Sequence, residues 1–347
     1  VSADVAVVGG GINGLCAAWR LRKRGMSVAL FDRFPAGHGR GSSHGEERII
    51  RSSYGDAATV RAMLEVRAGL WPALERDVGV PLIHPGPAVF WGPEEGPLPA
   101  YAAAVREAGA DVEEIGAQEA RRRFPHMCFP DAERVLHDHH AGVIAAGRTV
   151  RGLERWLRVN GVERREATVL GLEEDDGGVD LLLAGERVRA GRVIVTAGPW
   201  ASRLVPVAER ARPARQHVGF WEMGVSVGRT PAWVHLGVEG LHYGLPTLDG
   251  RMKAAFHGTG DGSDDPSAEV APDPRELASV EARLGEWFAP GPGRRVGADT
   301  CFYTNADEDA LILAPPPGYR RVLAVTACSG HAFKLAPLTG ERAAQWC

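Results

Sequence analysis

Asp4-Val5-Ala6-Val7-Val8-Gly9-Gly10-Gly11-Ile12-Asn13-Gly14 decides the reading of this chain, together with the residues just C-terminal to it. A helix-like run after the glycines ends near Gly25, and a second apolar run, Val28-Ala29-Leu30-Phe31, closes on Asp32. The order is strand, glycine turn, helix, strand, acid. Gly9, Gly11 and Gly14 stand at GxGxxG spacing. Absent side chains there permit a tight turn, close approach of backbone to a pyrophosphate, and close packing of helix on strand. Asp32 ends the second strand where a ribose hydroxyl needs an acceptor. A lone GxGxxG is commonly a chance glycine loop; with both strands and the acid in place, it reads as a dinucleotide site, for NAD or FAD alike.

Working outward, 347 residues with 44% hydrophobic content can bury one large core or two ordinary ones. A formal charge of −4, with acids and bases mixed along the chain, points to neither a nucleic-acid partner nor a membrane surface. The basic run Arg121-Arg122-Arg123 reads as a solvated helix face. No stretch approaches the roughly 20 apolar residues of a membrane span, and the first strand leaves no room for a signal peptide, so a soluble, cytoplasmic protein is expected. The cysteines are Cys16, Cys128, Cys301, Cys328 and Cys347. They form no CxxC pair and have no histidines at zinc spacing, so neither a disulfide framework nor a metal site is expected. Cys16, just past the last fingerprint glycine, reads as a small buried thiol.

Helical spacing of Val60, Met63, Leu64, Val66, Leu70 and Leu74 predicts a helix over 59–77, and Val89-Phe90-Trp91 before Gly92-Pro93 predicts a strand. A helix over 100–108, a strand over 111–115, and a helix through Leu153, Trp156 and Leu157 come next. Residues 167–173, 178–183 and 187–190 read as a β-meander. It leads into Arg192-Val193-Ile194-Val195-Thr196-Ala197-Gly198, the pattern of a buried parallel strand. That strand resembles one beside the nucleotide in flavoproteins of the glutathione-reductase type.

The expected class is therefore α/β: an FAD-binding Rossmann domain of that type, with a second α+β substrate domain on a mixed sheet. The cofactor domain is expected to be discontinuous, over 1–80, 141–212 and 300–347, and the substrate domain to take 81–140 and 213–299. Within 213–260, Phe220, Trp221, Trp233, His235, His242 and Tyr243 suggest a sheet forming a pocket wall. Residues 261–274 read as a surface loop before a helix over 276–288.

Gly41-Ser42-Ser43-His44-Gly45-Glu46-Glu47-Arg48-Ile49-Ile50-Arg51 is polar, glycine-rich and doubly basic, and comes after the cofactor's second strand. Arg51 is suited to clamp a carboxylate through its planar fork, and Arg48 and His44 to face a ring or a phosphate. A solvated loop is the bland alternative for this segment.

Further motifs are Tyr243-Gly244-Leu245-Pro246, Met252-Lys253-Ala254-Ala255-Phe256-His257, Cys301-Phe302-Tyr303-Thr304 and Ser329-Gly330-His331-Ala332-Phe333-Lys334. Together with Gly9–Gly14 and 42–51 they resemble, in order and with similar gaps over essentially the whole chain, the monomeric sarcosine oxidase and N-methyltryptophan oxidase family. Those are FAD-dependent amine oxidases of the D-amino acid oxidase superfamily. The resemblance implies oxidation of the C–N bond of a carboxylate-bearing secondary or cyclic amine to an imine. It also implies transfer of the electrons to O2, giving hydrogen peroxide.

Position by position, the resemblance makes Cys301 the thioether link to the flavin 8α-methyl group, and Lys253 the lysine that promotes the reaction with oxygen. Arg51 and Lys334 become the pair that grips the substrate carboxylate. Tyr243, His257, His44 and Arg48 line the pocket or the ring. Ser43, Gly330, His331 and Phe333 join Gly9, Gly11, Gly14, Asp32, His44, Arg48, Cys301 and Lys334 in holding FAD. Without the resemblance, Lys253 would read as an edge-strand lysine in water, Lys334 as a surface residue near a helix start, and Cys301 as a core residue. The chemistry asked of Cys301 is that of a thiolate favoured by a nearby cation, at a strand end beside the ring.

The chain also departs from the family pattern. Family members continue for a further segment beyond the helix near Gly340, whereas this sequence stops at Cys347. Ser52-Ser53 stand where the family has a histidine, and Trp221, Trp233, His235 and His242 are not a sarcosine-type set. A cyclic imino acid or an intermediate of secondary metabolism is thus as fitting a substrate as sarcosine. Two other readings stand beside the oxidase. One is an amine dehydrogenase with a non-oxygen acceptor; the other is a non-catalytic nucleotide-binding protein. A small amine and O2 are the expected partners, and a monomer or weak homodimer the expected state.

Overall fold

The computed structural model describes residues 3–207, 211–258, 265–307, 311–326 and 329–347. Cys328 and residues 261–264 of the expected surface loop lie outside the described residues.

The first strand, Ala3–Val8, lies between two parallel neighbours, Val28–Asp32 and Glu186–Val195. Glu163–Glu166 extends the parallel set beyond Val28–Asp32, and Val322–Thr326 does so beyond the last residues of Glu186–Val195. Alternation splits the buried side chains between the two faces. Val5, Val7, Leu30, Ile194 and Leu323 pack under the helices, whereas Ala6, Val8, Phe31, Val193 and Val195 enter the opposite core. With both faces covered, the strands read as unbroken apolar runs.

Two expectations are corrected. Residues 187–190 and 192–195 form one strand, Glu186–Val195, which pairs antiparallel with Gly178–Leu183 and then parallel with the first strand. Gly191 keeps it continuous, since a Cβ there would lie 2.9 Å from the Asp4 carbonyl oxygen. The helix expected over 59–77 is Ala57–Glu65, a π-helical turn Val66–Leu70, and a new helix Trp71–Val78. Pro72 explains the break, because it has no N–H to continue the ladder and suits a first helical turn.

The second sheet is eight-stranded. Its order is Arg295–Asn305, Arg212–Glu222, Arg251–His257, Gly240–Pro246, Ala232–Gly237, Ala88–Gly92, Arg134–Asp138 and Val112–Gly116. Only the pairing of Ala232–Gly237 with Ala88–Gly92 is parallel, so the sheet is mixed. Arg295–Asn305 crosses residue 300 without leaving this sheet, and the chain rejoins the first sheet at Ile312–Ala314. A small antiparallel sheet of Glu47–Ile50, Gly142–Ala145 and Ile83–Pro85 sits apart from both.

Helix Pro274–Trp287 covers the outer face of the second sheet, over Trp91, Trp221, Trp233 and Met252. The sheet does form a cavity wall, through Phe220 and Tyr243, but Trp221, Trp233, His235 and His242 are not part of it. His235 and His242 lie under this helix too, with ring centroids 4.5 and 5.5 Å from that of Trp287. Burial there pushes each imidazole down to about 4, so both are neutral. The period of two hands the opposite face to their neighbours Phe220, Val234 and Tyr243.

The last helix, Ala332–Trp346, lies against the first, Ile12–Lys23. A Cβ on Gly340 would sit 2.5 Å from the Cys16 carbonyl carbon, so only glycine allows this approach. Arg20 and Arg24 of the first helix pair with Glu341. Cys16 is fully buried between them, and Cys16, Cys128, Cys301 and Cys347 are all free thiols. Among the described residues no helix is long and apolar enough to cross a membrane.

Candidate active site

The glycine turn is built as its spacing requires. Gly9 has φ +113°, and a Cβ there would lie 2.4 Å from the Thr196 carbonyl oxygen. Gly14 faces away from the cavity, and its Cβ would lie 1.9 Å from the Gly9 oxygen, so it serves the packing of helix on strand. Gly11 caps the first helix without a side-chain bond, and the Ile12 N–H donates to Ser43 Oγ at 3.0 Å. The orphan N–H groups of this helix start are suited to an anion.

Asp32 accepts from the Gly10 N–H at 2.5 Å and the Phe34 N–H at 2.8 Å, with His38 Nε2 at 3.7 Å. Burial alone would raise its carboxyl. The hydrogen bonds from His38, Phe34 and Gly10 outweigh that and hold it below its ordinary value.

A cavity of about 700 Å³ takes its wall from this turn and also from Arg51, His331 and Lys334. Its size is that of a cofactor or small-molecule site. Of the residues assigned in the sequence to cofactor, substrate or catalysis, all but Gly14 line it, including Ser43, His44, Arg48, Tyr243, Lys253, His257, Cys301, Gly330 and Phe333.

Two cations, Lys253 and Arg48, meet in the cavity wall. Lys253 points inward from its strand and donates to the Glu47 carbonyl oxygen at 3.1 Å, so it is no edge-strand lysine in water. Burial first, then the Arg48 charge, pushes its ammonium down to about 7, against the opposing pull of Cys301, Glu47 and Asp299. A Cβ on Gly45 would lie 3.2 Å from Arg48 Nη1 and 3.9 Å from Lys253 Nζ, so both cations meet at that glycine. Arg48 donates to the carbonyl oxygens of Ser42, His44 and Glu47, which folds the polar loop around its guanidinium, and it lies 5.5 Å from the centre of the Phe333 ring.

Cys301 is not at a strand end. It sits within Arg295–Asn305, paired with Gln216, and burial raises its thiol while Arg48 and Lys253 pull it down. Two residues away on the same face, Asp299 Oδ2 lies 3.2 Å from His44 Nε2. The His44 bond pulls this carboxyl below its ordinary value against the penalty of burial. No sequence motif marked Asp299; only the strand's period of two could have placed it beside Cys301. The Tyr303 and Tyr243 hydroxyls lie 3.4 Å apart, and burial pushes the Tyr243 phenol up to about 12. Gly330 lies so close under the Tyr303 ring that a Cβ would come within 2.6 Å of it.

Arg51 and Lys334 are each 4% exposed. Lys334 is buried because its helix begins inside the core, where the Trp71 indole N–H donates to the Lys334 carbonyl oxygen at 2.9 Å. Arg51 donates to the Ser53 carbonyl oxygen, and Asp138 lies near enough to favour its charge. Burial, then Lys334 and Arg51, hold the His331 imidazole well below its ordinary value, so it is neutral. The His257 ring stacks at 5.5 Å on His331 and lies 4.9 Å from Tyr303.

Away from the cavity, Glu113, His137 and His139 bring one donor atom each within 4.8 Å of one another. Arg123 donates to Glu113 and lies 3.2 Å from His137 Nδ1, so a guanidinium already supplies the positive charge there.

A parallel strand set with a glycine cradle, joined by one cavity to a buried lysine on a second, mixed sheet, is the build of a dinucleotide-dependent oxidoreductase. The chain belongs to the FAD dependent oxidoreductase (DAO) family, whose model matches residues 4–346. It is 30% identical to the peroxisomal sarcosine oxidase of Mus musculus, over 97% of this chain and 90% of the relative. It is 27% identical to the N-methyl-L-tryptophan oxidase of Salmonella arizonae, over 99% of this chain and 94% of that protein. Among solved structures, the Tyr258Phe mutant of NikD, an unusual amino acid oxidase essential for nikkomycin biosynthesis, superimposes with a TM-score of 0.88 at 25% identity, over 99% of this chain and 93% of that one. The residues present fit FAD: Gly9, Gly10 and Gly11 line the cavity with bare backbone, and Asn13 Oδ1, also in its wall, is buried with no hydrogen-bond partner.

Proposed function

We propose that this protein oxidises the C–N bond of a carboxylate-bearing secondary or cyclic amine to an imine, and that the electrons pass to O2 with formation of hydrogen peroxide. The observation that carries the reading is that two buried cations, Arg51 and Lys334, line the same cavity as the glycine turn. Their charges suit a substrate carboxylate. Held there, the substrate's amine end is directed back toward Tyr243, Lys253 and Cys301. The nearby cations also disfavour a protonated amine, leaving a lone pair free at the nitrogen. His331, itself neutral, adds no further charge. The relatives are named for oxidation of sarcosine and of N-methyl-L-tryptophan, which supports an amino-acid-derived amine as substrate.

Gly9, Gly11, Asp32 and Ser43 would hold the diphosphate and ribose of FAD, with Gly14 packing the helix behind them and His44, Arg48, Gly330 and Phe333 toward the ring. The bound flavin supplies the two-electron acceptor. In this reading 1–80, 141–212 and 300–347 form the cofactor side and 81–140 and 213–299 the substrate side, with the strand Arg295–Asn305 shared between them. The test is anaerobic mixing of the holoprotein with sarcosine, proline, pipecolate and N-methyltryptophan. Bleaching of the yellow colour by at least one amine, then recovery in air with stoichiometric peroxide, is expected. Colour unmoved by every amine would favour the non-catalytic reading, and bleaching without peroxide the dehydrogenase.

The same reading includes a thioether from Cys301 to the flavin. Arg48 and Lys253 favour the thiolate that such a link requires, against the opposing effect of burial. Acid precipitation of the protein is expected to leave the colour in the pellet, and Cys301→Ser to release it to the supernatant. Colour in the supernatant of the unaltered protein rules the link out.

A further inference from the structure

Ser52 and Ser53 follow Arg51 at the point where the chain departs from the family pattern, and neither lines the cavity. What they meet is Asp138, the last residue of the strand Arg134–Asp138, which is fully buried and also outside the cavity wall. Its Oδ2 accepts the Ser52 N–H at 2.6 Å and its Oδ1 the His140 N–H at 3.1 Å. Burial pushes this carboxyl up, while the Ser52 and His140 bonds, the Arg67 charge and the Ser53 N–H pull it back toward the ionised form. Arg67 comes from the π-helical turn Val66–Leu70 and does not line the cavity, so the charge of Asp138 is shared with a cation other than Arg51.

The Ser52 N–H belongs to the peptide that leaves the Arg51 Cα, so holding it fixes ψ of Arg51. The peptide on the other side is set by the strand Glu47–Ile50, paired with Gly142–Ala145. One residue beyond Ser52, the Ser53 carbonyl oxygen receives the Arg51 guanidinium. Both the root and the tip of the Arg51 side chain therefore depend on a turn that Asp138 anchors. Asp138 is anchored in its turn by the second sheet, with Ala88 and Val112 as its partners on the neighbouring strands. A long side chain held in this way loses less freedom when a ligand binds it. We propose that Asp138 is a positioning residue of the substrate's carboxylate site, pinning the peptide between Arg51 and Ser52 and so aiming Arg51 into the cavity. The inference rests on the reading of Arg51 as a carboxylate-binding residue. Asp138 acts through Arg51 and makes no contact with the ligand itself.

The experiment is calorimetric titration of the holoprotein with benzoate and with its neutral isostere benzamide, together with steady-state kinetics on the best amine of the panel and on its methyl ester. Asp138→Asn keeps the shape but turns an NH2 group toward one of the backbone donors that the carboxylate now accepts. It should weaken benzoate on the order of tenfold and leave benzamide unchanged. KM for the acid should rise while kcat and the KM of the ester move little. Loss of a negative charge alone would tighten benzoate, so weakening reports the geometry of Arg51. In an Arg51→Met background the same substitution should change neither ligand further, because its effect passes through Arg51. Should Asp138→Asn not fold, lactic acid placed at position 52 by nonsense suppression puts an ester oxygen where the Ser52 N–H was and keeps Asp138; the same loss of benzoate preference is expected. An unchanged or stronger preference for benzoate in either variant, or a further effect of Asp138→Asn without Arg51, makes Asp138 a residue of the fold alone and overturns the proposal. If the unaltered protein itself shows no preference for benzoate over benzamide, Arg51 binds no carboxylate and the inference fails together with the reading beneath it.

Discussion

Reduced protein carrying methionine in place of Lys253 is expected to reoxidise in air slower by about 10²–10³-fold, the usual effect of removing one preplaced charge from a reacting site. Transfer of the first electron to O2 creates a superoxide anion. Lys253 is a buried cation in the cavity wall, held by the Glu47 carbonyl and already in place before the oxygen arrives. Methionine matches its length and removes the charge, so rapid-mixing rates of reoxidation read the electrostatic effect, while the rate of bleaching by the amine should change much less. An unchanged reoxidation rate would exclude Lys253 as the oxygen-activating group.

The pH dependence has its origin in the same burial. Lys253 holds its proton with a pKa of about 7 in the folded protein, against about 10.4 for a free lysine. Its ammonium, and the oxygen reactivity it supports, should therefore fade as pH rises through about 7, and the methionine variant should lack that inflection. Stability moves in the opposite sense. Between the two values the unfolded chain binds more protons than the folded one, so the unfavourable contribution of Lys253 is complete below about 7 and lifts as pH rises toward 10.4. Lys253→Met should accordingly melt higher than the unaltered protein at pH 6, and the margin should narrow above pH 7.

Arg51→Met is expected to raise KM for a carboxylate-bearing amine on the order of 10²-fold, because charge-assisted hydrogen bonds contribute about 1.5–3 kcal/mol each. Arg51 is almost fully buried, so little water can substitute for the lost guanidinium. The corresponding methyl ester is the control: its KM should be nearly the same with and without Arg51. Tyr54, Phe90 and Tyr101 already surround this side chain with apolar surface, so methionine should be accommodated without loss of the fold. Equal effects on acid and ester would show that Arg51 supports the pocket without binding the carboxylate.

What the sequence revealed and what it hid have physical reasons. The glycine turn was legible because its requirements are local: Gly9 needs its positive φ and Gly14 its missing Cβ, and both sit within one strand-turn-helix unit. Lys253, Lys334 and Cys301 were legible only by resemblance. Taken singly, each is a residue whose burial is decided by partners far along the chain, as the bond from Trp71 to the Lys334 carbonyl shows. The aromatic strand residues misled because composition does not tell which face a side chain takes; Trp221 and Phe220 are adjacent, yet one lies under a helix and the other lines the cavity. Asp299 escaped for a related reason. The His44–Asp299 contact joins residues far apart in sequence.

The cavity takes its wall from Gly9 at one extreme of the chain and Lys334 at the other. A nascent chain on the ribosome therefore exposes its glycine turn well before the cavity can be enclosed by Lys334 and its neighbours. At roughly 5–20 residues per second, about a quarter of a minute to a minute of translation separates the two. Enclosure of a cofactor is thus confined to a chain that has emerged past Lys334.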